Sequence, residues 1–252
     1  MAVKISDIYN FIDSFAPFDS QCEWDNSGLL LGSMEKETCK IGFALDAETD
    51  VIEQAHSSGC DLIVTHHPVI FKPLHSISFD DPSALLIKYG ISIICAHTNL
   101  DKSDCGVNRV LAEKMGLTDI QRFDSGSDAS MCMIGKIADT SPAELAKLIS
   151  SRLHAHTEFS ESNKNIEKVA VCGGAGGEFM YELAGKVDAF ITGEIKHHEF
   201  IDSKRLGISV FKAGHYETEY PVIPFLKEKA ADKFDIDCIL LDQKNPVKYC
   251  EG

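Results

Sequence analysis

Short apolar runs alternate along the chain with longer segments whose apolar residues recur at helical spacing. The short runs predict strands, at residues 41–45, 61–65, 91–96, 131–137, 169–172, 189–192, 208–213 and 236–241. The longer segments predict helices, at residues 49–58, 83–89, 107–115, 142–152, 179–185 and 224–234. Strands separated by helices indicate βαβ units and largely parallel sheets, with functional groups at the carboxyl ends of the strands.

The pattern repeats once within the chain. Residues 168–172, a helix and residues 188–194 are similar to residues 40–44, a helix and residues 61–67, and residues 207–215 are similar to residues 90–97. The copies stand roughly 120 residues apart, far more than one solenoid repeat, so they indicate two similar lobes. Chance similarity of apolar strands is the alternative.

We therefore predict an α/β fold of two similar, interlocked α/β lobes with a cleft between them. Lobe one is expected to span residues 1–123, completed by 214–252, and lobe two residues 131–213. Residues 124–130, rich in serine, glycine and aspartate, are predicted to form the boundary.

Charge and hydropathy narrow the range of partners. Lysine and arginine total 24 against 39 aspartate and glutamate residues, a formal charge of -15. That average repels nucleic acid and suits the binding of cations. No apolar run approaches the roughly 20 residues that span a bilayer, and the first residues lack the pattern of a secretion signal. We expect a cytoplasmic protein that binds neither nucleic acid nor a membrane.

Cysteines are numerous but are not arranged as a metal knuckle. No two of the nine fall at Cys-x-x-Cys spacing, and several lie inside apolar strands. We predict that they are small core residues in a reducing compartment.

Histidines and carboxylates follow the ends of three predicted strands. The groups are His66 and His67 after the first, His97 and Asp101 after the second, and His215 and Glu219 after the third. Imidazole plus carboxylate is the ligand mix of zinc, iron, manganese or nickel, and the set exceeds what one tetrahedral ion uses. It therefore predicts two divalent metal ions in the cleft, with Glu219 or Asp101 as the bridge.

The roles of individual residues remain open at this point. His215 and Glu219, four apart, share a face if a helical turn forms before Pro221, although such spacing is common on solvated helices. His97 is expected to orient a ligand or carry a proton, or else to be a core histidine. Glu194 occupies the position of His67 in the repeat, so it either reaches the cleft or is an ordinary surface residue.

Two further patterns have simpler explanations. His197 and His198 begin a predicted helix and are expected on its exposed face. The glycine-rich residues 172–177 lack the spacing of a nucleotide-binding loop, so close backbone packing is predicted, with anion binding by the amides as the alternative.

Five motifs stand in order along the chain: CEWDNSGLLLG at 22–32, THHP followed by IFK at 65–72, AHTNLD at 96–101, TGE at 192–194 and GHYETE at 214–219. Together they resemble the Nif-three-like dinuclear metal centre proteins, often labelled GTP cyclohydrolase I type 2 homologues. The resemblance implies a two-lobed α/β fold, a dinuclear site and a toroidal homohexamer. It implies the metal ligands His66, His67, Asp101, His215 and Glu219, and it puts Trp24 and Asp25 near the cleft, with a packed aromatic as the alternative for Trp24.

Two functions are consistent with this set of residues. One is a dinuclear-metal-dependent hydrolase, GTP cyclohydrolase-like, which uses a metal-activated water on a nucleotide or related small molecule. His97 or Glu194 would then move the proton. The alternative is a metal-binding, metal-delivery or adaptor protein without turnover.

Overall fold

The structure is a computed structural model, and it describes residues 2–160, 162 and 165–250. The chain divides into two compact units, each discontinuous in sequence. Unit one comprises Met1–Ser103 and Val222–Lys244, and unit two comprises Asp104–Pro221 and Asn245–Gly252. Both units contain sheets and helices, so the predicted α/β fold is confirmed.

Unit one, over its described residues, is built on a five-stranded sheet. Its strands, numbered in chain order with those of the whole molecule, are β1 (Val3–Lys4), β2 (Gly28–Leu31), β3 (Glu37–Thr38), β4 (Lys40–Ala44), β5 (Leu62–Thr65), β6 (Ser92–Cys95) and β13 (Asp237–Leu240). The sheet has the order β13-β4-β5-β6-β2, and only β2 runs antiparallel to its neighbour; β1 and β3 pair separately. Its helices are α1 (Ile5–Asp13), α2 (Thr49–Ser57), α3 (Pro82–Tyr89), α4 (Thr98–Asp101) and α10 (Val222–Lys233).

Unit two, over its described residues, is built on a six-stranded mixed sheet. Its strands are β7 (Thr118–Arg122), β8 (Met133–Thr140), β9 (Glu158–Ser160), β10 (Ile166–Cys172), β11 (Ala189–Thr192) and β12 (Ser209–Lys212). They lie in the order β7-β8-β10-β11-β12-β9, with β10, β11 and β12 parallel. Its helices are α5 (Val107–Lys114), α6 (Pro142–Leu153), α7 (Met180–Leu183), α8 (His197–Leu206) and α9 (His215–Glu219).

The sequence repeat corresponds to a repeated parallel triplet. In unit one Ala44 pairs with Thr65 and Thr65 with Cys95; in unit two the last pairings of the triplet join Cys172, Thr192 and Lys212. Every residue of β5, β6 and β11 is buried, as expected for strands covered on both faces.

Matching helix ends precede the third strand of each triplet. Gly90 directly follows α3 and Gly207 directly follows α8, with φ of 64° and 70°, and the amide of each glycine donates to a carbonyl of the helix before it. Glycine adopts this left-handed conformation without the steric cost of a Cβ, so the chain can turn directly into the next strand.

The observed division of the chain differs from the predicted lobes. Residues 104–123 and 214–221 belong to unit two, because β7 pairs with β8, α5 packs on β8 and β10, and α9 packs on α5. The predicted boundary loop lies inside unit two, where the hydroxyls of Ser125 and Ser127 both donate to Glu182 at 2.6 Å.

The cysteines behave as the sequence predicts for core residues. Six of the nine are buried, and no disulfide forms within the described part of the chain. Over the same residues, no helix combines the length and the apolar character that crossing a membrane requires.

Candidate metal centre

In unit one, the carboxyl ends of three adjacent parallel strands carry the polar groups. Asp46 follows β4, His66 and His67 follow β5, and His97 follows β6. The strands are in register at their last residues, so these side chains emerge at one edge of the sheet.

His66 is fully buried and its ring is held by the backbone. Its Nδ1 lies 2.8 Å from the carbonyl oxygen of Ala96. Because a carbonyl can only accept, Nδ1 carries the proton and the neutral ring keeps its lone pair on Nε2. That Nε2 lies 3.7 Å from Oδ1 of Asp101, one of the predicted ligands, so both atoms face the same space.

His67 is oriented by a carboxylate. Its Nδ1 lies 2.7 Å from Oδ1 of Asp46, whose Oδ2 accepts from Nε2 of Gln243 at 2.8 Å. The Gln243 side-chain oxygen in turn accepts from the amide of Leu45 at 2.9 Å. This chain of hydrogen bonds fixes both the tautomer and the direction of the His67 ring.

His97 is held in the same way by Asp25. Its Nδ1 lies 2.7 Å from Oδ1 of Asp25, and Oδ2 accepts from the Thr98 amide and from the hydroxyls of Thr98 and Ser27. Burial acts to raise the pKa of the Asp25 carboxyl, but the hydrogen bonds from His97 and Thr98 outweigh it and hold that pKa well below its ordinary range. Asp25 is therefore a fixed negative charge behind His97.

The three rings converge. One nitrogen from each of His66, His67 and His97 lies within 4.8 Å of the other two, so the group can hold a metal ion. Metal-binding histidines usually donate the second ring nitrogen to a carboxylate or a carbonyl, and all three rings do so. The donor chemistry thus fits a divalent transition metal ion, and the structure places the His97 ring beside the two predicted ligands His66 and His67.

In unit two, α9 brings together a second group. His215 and Glu219 lie on one face of this short helix, as their spacing predicts, with Nε2 3.0 Å from Oε2 of the buried Glu219. The Nδ1 of His215 lies 2.7 Å from Oε1 of Glu194, so the carboxylate orients this ring as well. The predicted residues of unit two therefore form one cluster.

Glycines make room for that cluster. A Cβ at Gly174, where φ is +63°, would lie 2.2 Å from Oε1 of Glu219 and 3.2 Å from Nε2 of His215. A Cβ at Gly193 would lie 2.8 Å from the Cα of His215. Only glycine allows the two strand ends to approach α9 this closely.

The amides of the glycine-rich residues are occupied by side chains. The N–H groups of Gly173, Gly174 and Gly176 donate to oxygens of Asn108, Thr218 and Thr192 at 2.7, 3.1 and 3.1 Å. Close packing therefore accounts for this segment, and those three amides already have protein acceptors.

A cavity of about 590 Å³ lies beside the unit-two cluster. Glu194 and His215 form part of its wall, with Ile195, Lys212, Val247 and Tyr249.

The two histidines that the sequence assigns to an exposed helix face lie outside the cluster. His197 and His198 are exposed at the start of α8, as predicted.

Sequence reasoning missed Asp46. The available signal was its position directly after a predicted strand, the same position that His66 and His97 occupy after the next two predicted strands. In the repeat, Gly174 stands at the corresponding place, so the second half of the chain has no carboxylate there.

Known proteins resemble the chain over nearly all of its length. The model of the Duf34/NIF3 (NGG1p interacting factor 3) family matches residues 3–246. A Clostridium perfringens protein named GTP cyclohydrolase 1 type 2 homolog is 32% identical, over 98% of this chain and 100% of that protein. The solved structure of reduced HcgD from Methanocaldococcus jannaschii has a TM-score of 0.84 and 31% identity, over 96% of this chain and 99% of that one. A Staphylococcus aureus hypothetical protein has a TM-score of 0.88 and 26% identity, over 98% and 99%.

Proposed function

Because the chain belongs to the Duf34/NIF3 family, we propose that it is a dinuclear-metal-dependent hydrolase of a nucleotide-related small molecule. The proposed ligands of its two divalent ions are the five predicted from the sequence: His66, His67, Asp101, His215 and Glu219. Zinc, iron, manganese and nickel suit this donor set. The names of relatives support the substrate class, since several are GTP cyclohydrolase 1 type 2 homologs.

The observation that carries the proposal is the orientation of the histidines. Four rings, those of His66, His67, His97 and His215, have Nδ1 against a carbonyl or carboxylate oxygen at 2.7–2.8 Å. Ordinary core histidines need no such common tautomer. In His66, His67 and His215 this arrangement leaves Nε2 for a cation, and in His97 it leaves Nε2 for a proton.

The bound ions would supply Lewis-acid polarisation and a lowered pKa for water. Protons would be transferred by side chains of the protein. His97, whose ring is oriented by Asp25 at 2.7 Å, is proposed to accept a proton at Nε2. Glu194 is half-exposed beside His215 and the cavity, where it can exchange protons with solvent.

Elemental analysis of protein purified without added metal tests the centre first. The proposal expects two ions per chain, and fewer than one would contradict it. The same preparation is then offered GTP and related nucleotides. Glu219→Gln should lose both metal and turnover, while Glu228→Gln, the same change at an exposed position, should keep both.

Turnover that survives Glu219→Gln would refute a hydrolase that depends on this metal centre. Two bound ions with no turnover across the panel, together with metal transfer to an apo-metalloenzyme, would instead establish metal delivery. We also propose the homohexamer that the family resemblance implies. Its test is the mass of the assembly by light scattering, and a monomer would exclude it.

A further inference from the structure

Two large aromatic side chains stand exposed in unit one beside His97. Trp24 is 55% exposed and Phe71 is 43% exposed, and their ring centroids are 5.9 Å apart. The His97 ring lies 6.1 Å from Trp24 and 6.2 Å from Phe71, nearly edge-on to both. We call Trp24 and Phe71 the aromatic platform.

Hydrogen bonds hold the two loops that carry the platform, one at Trp24 and one at Phe71. On one side Asp25 is bonded to His97, and the amide of Cys22 donates to the Thr98 hydroxyl at 2.9 Å. On the other, Nδ2 of Asn26 donates to the carbonyl oxygen of Ile70 at 2.6 Å, which joins the Trp24 loop to the residue before Phe71. Trp24 is thus exposed on a backbone that hydrogen bonds hold in place.

An exposed tryptophan leaves apolar area in water, and burial of that area by a bound partner is favourable. The restraint on the Trp24 loop runs through Asp25, whose carboxylate also orients His97. The same interactions therefore fix the proton-handling histidine and the platform relative to each other.

We propose that the aromatic platform binds the planar heterocyclic ring of the substrate by stacking on Trp24, next to His97. The proposal rests on the proposed function, from which it takes the nucleotide-related substrate. It assigns Trp24, with Phe71 beside it, to binding of the ring rather than of the sugar or the phosphates.

The physical basis is the stacking of a π-face on an aromatic side chain. Such contacts tolerate any base, and their loss on substitution by alanine weakens binding roughly 5- to 150-fold. Because the centroid of the His97 ring lies 6.1 Å from that of Trp24, a base stacked on Trp24 would lie beside this histidine. The platform would thus determine both how tightly the base binds and where it lies relative to His97.

Trp24 is the single tryptophan of the chain, so its fluorescence reports on this site alone. The assay titrates the metal-loaded protein with guanosine and, as a control without a base, with ribose 5-phosphate. Saturable quenching by guanosine and none by ribose 5-phosphate is expected. No quenching by guanosine would overturn the proposal.

Variants separate stacking from a structural role, with guanosine affinity measured by calorimetry. Trp24→Phe should bind within a few-fold of the parent, and Trp24→Ala should bind roughly 5- to 150-fold more weakly. Phe79→Ala, which removes a 97% exposed aromatic of the same unit, should leave the affinity unchanged. Equal affinity in Trp24→Ala and the parent would contradict stacking.

A contact between copies of the chain is the competing use of the platform. If Trp24→Ala changes the mass of the assembly while guanosine binds neither the parent nor Trp24→Phe, the platform is an interface and our proposal fails. Failure of the hydrolase is a separate result. If guanosine quenches Trp24 but no nucleotide is turned over, binding of the ring by the platform is still supported and the hydrolase is not. If a nucleotide is turned over and its KM is the same in Trp24→Ala as in the parent, the platform is refuted and the hydrolase is not.

Discussion

Gly174→Ala tests whether the absence of a side chain at position 174 is what allows the Glu219 carboxylate to lie where it does. Two effects add at this position. The backbone is left-handed, with φ of +63°, and the new Cβ would lie 2.2 Å from Oε1 of Glu219. Since Glu219 is only 4% exposed, its carboxylate must move within a packed interior.

The matched control is Gly207→Ala. Its φ is +70°, but no atom lies within 4 Å of the added Cβ, so it experiences only the backbone effect. That effect is about 1–2 kcal/mol for an L-residue. Overpacking adds about 1–3 kcal/mol. We therefore expect Gly174→Ala to lose about 1–3 kcal/mol more free energy of unfolding than Gly207→Ala.

Urea unfolding of both variants measures this difference, and competition with a chelator measures their affinity for zinc. Displacement of Glu219 and His215 should weaken zinc binding by about 10- to 100-fold in Gly174→Ala, a typical effect of disturbing ligand support. Gly207→Ala should bind zinc as the parent does. Equal stability losses and equal zinc affinities in the two variants would refute the steric argument.

Three other outcomes are expected. Asp46→Ala frees the His67 ring and should lower zinc affinity by about 10- to 100-fold in the chelator competition; an unchanged affinity would remove Asp46 from the site. Thr218→Val takes the acceptor from the buried Gly174 amide and should cost about 1–3 kcal/mol of unfolding free energy in urea, so a neutral result would count against that hydrogen bond. Burial raises the pKa of the Cys60 thiol to about 11 from 9.0, so the folded state retains a proton that the unfolded state releases. Stability should be unaffected by Cys60 below pH 9 and fall as pH rises from 9 toward 11, and Cys60→Ala should flatten that fall; identical pH profiles would contradict it.

Strands with an unambiguous pattern were predictable. The strand at 189–192 was predicted to the residue, and the predicted strand at 61–65 differs from β5 by one, because continuous apolar runs between helices suit a sheet covered on both faces. The single helical turn between His215 and Glu219 also agrees with its spacing.

Elements that depend on distant partners were not predictable from local pattern. β7 is largely exposed and its sequence has no apolar alternation, and it exists because β8 offers it an antiparallel edge. β9, three residues long, forms likewise against β12. Their local sequences hold too little information to distinguish a strand from a loop.

The candidate site shows the same limit at the level of side chains. Residue types and spacing were enough to select His66 and His67, because a histidine pair after a buried strand is conspicuous. The groups that orient those rings are an isolated aspartate, Asp46, and a backbone carbonyl, that of Ala96. A carbonyl leaves no trace in sequence, so the tautomers that prepare the rings emerge only from the fold.

The pairing of β13 with β4 has a consequence for how the protein is made. Residues 45–236 separate the two strands, so a nascent chain exposes the edge of β4 throughout the synthesis of everything between them. The sheet of unit two, whose strands all lie between Thr118 and Lys212, can close first. Loop-closure entropy grows only slowly with length, so the late pairing costs little free energy, but an unpaired edge invites association with other chains. A ribosome that stalls before Asp237 should therefore release an aggregation-prone product in which unit two is already folded.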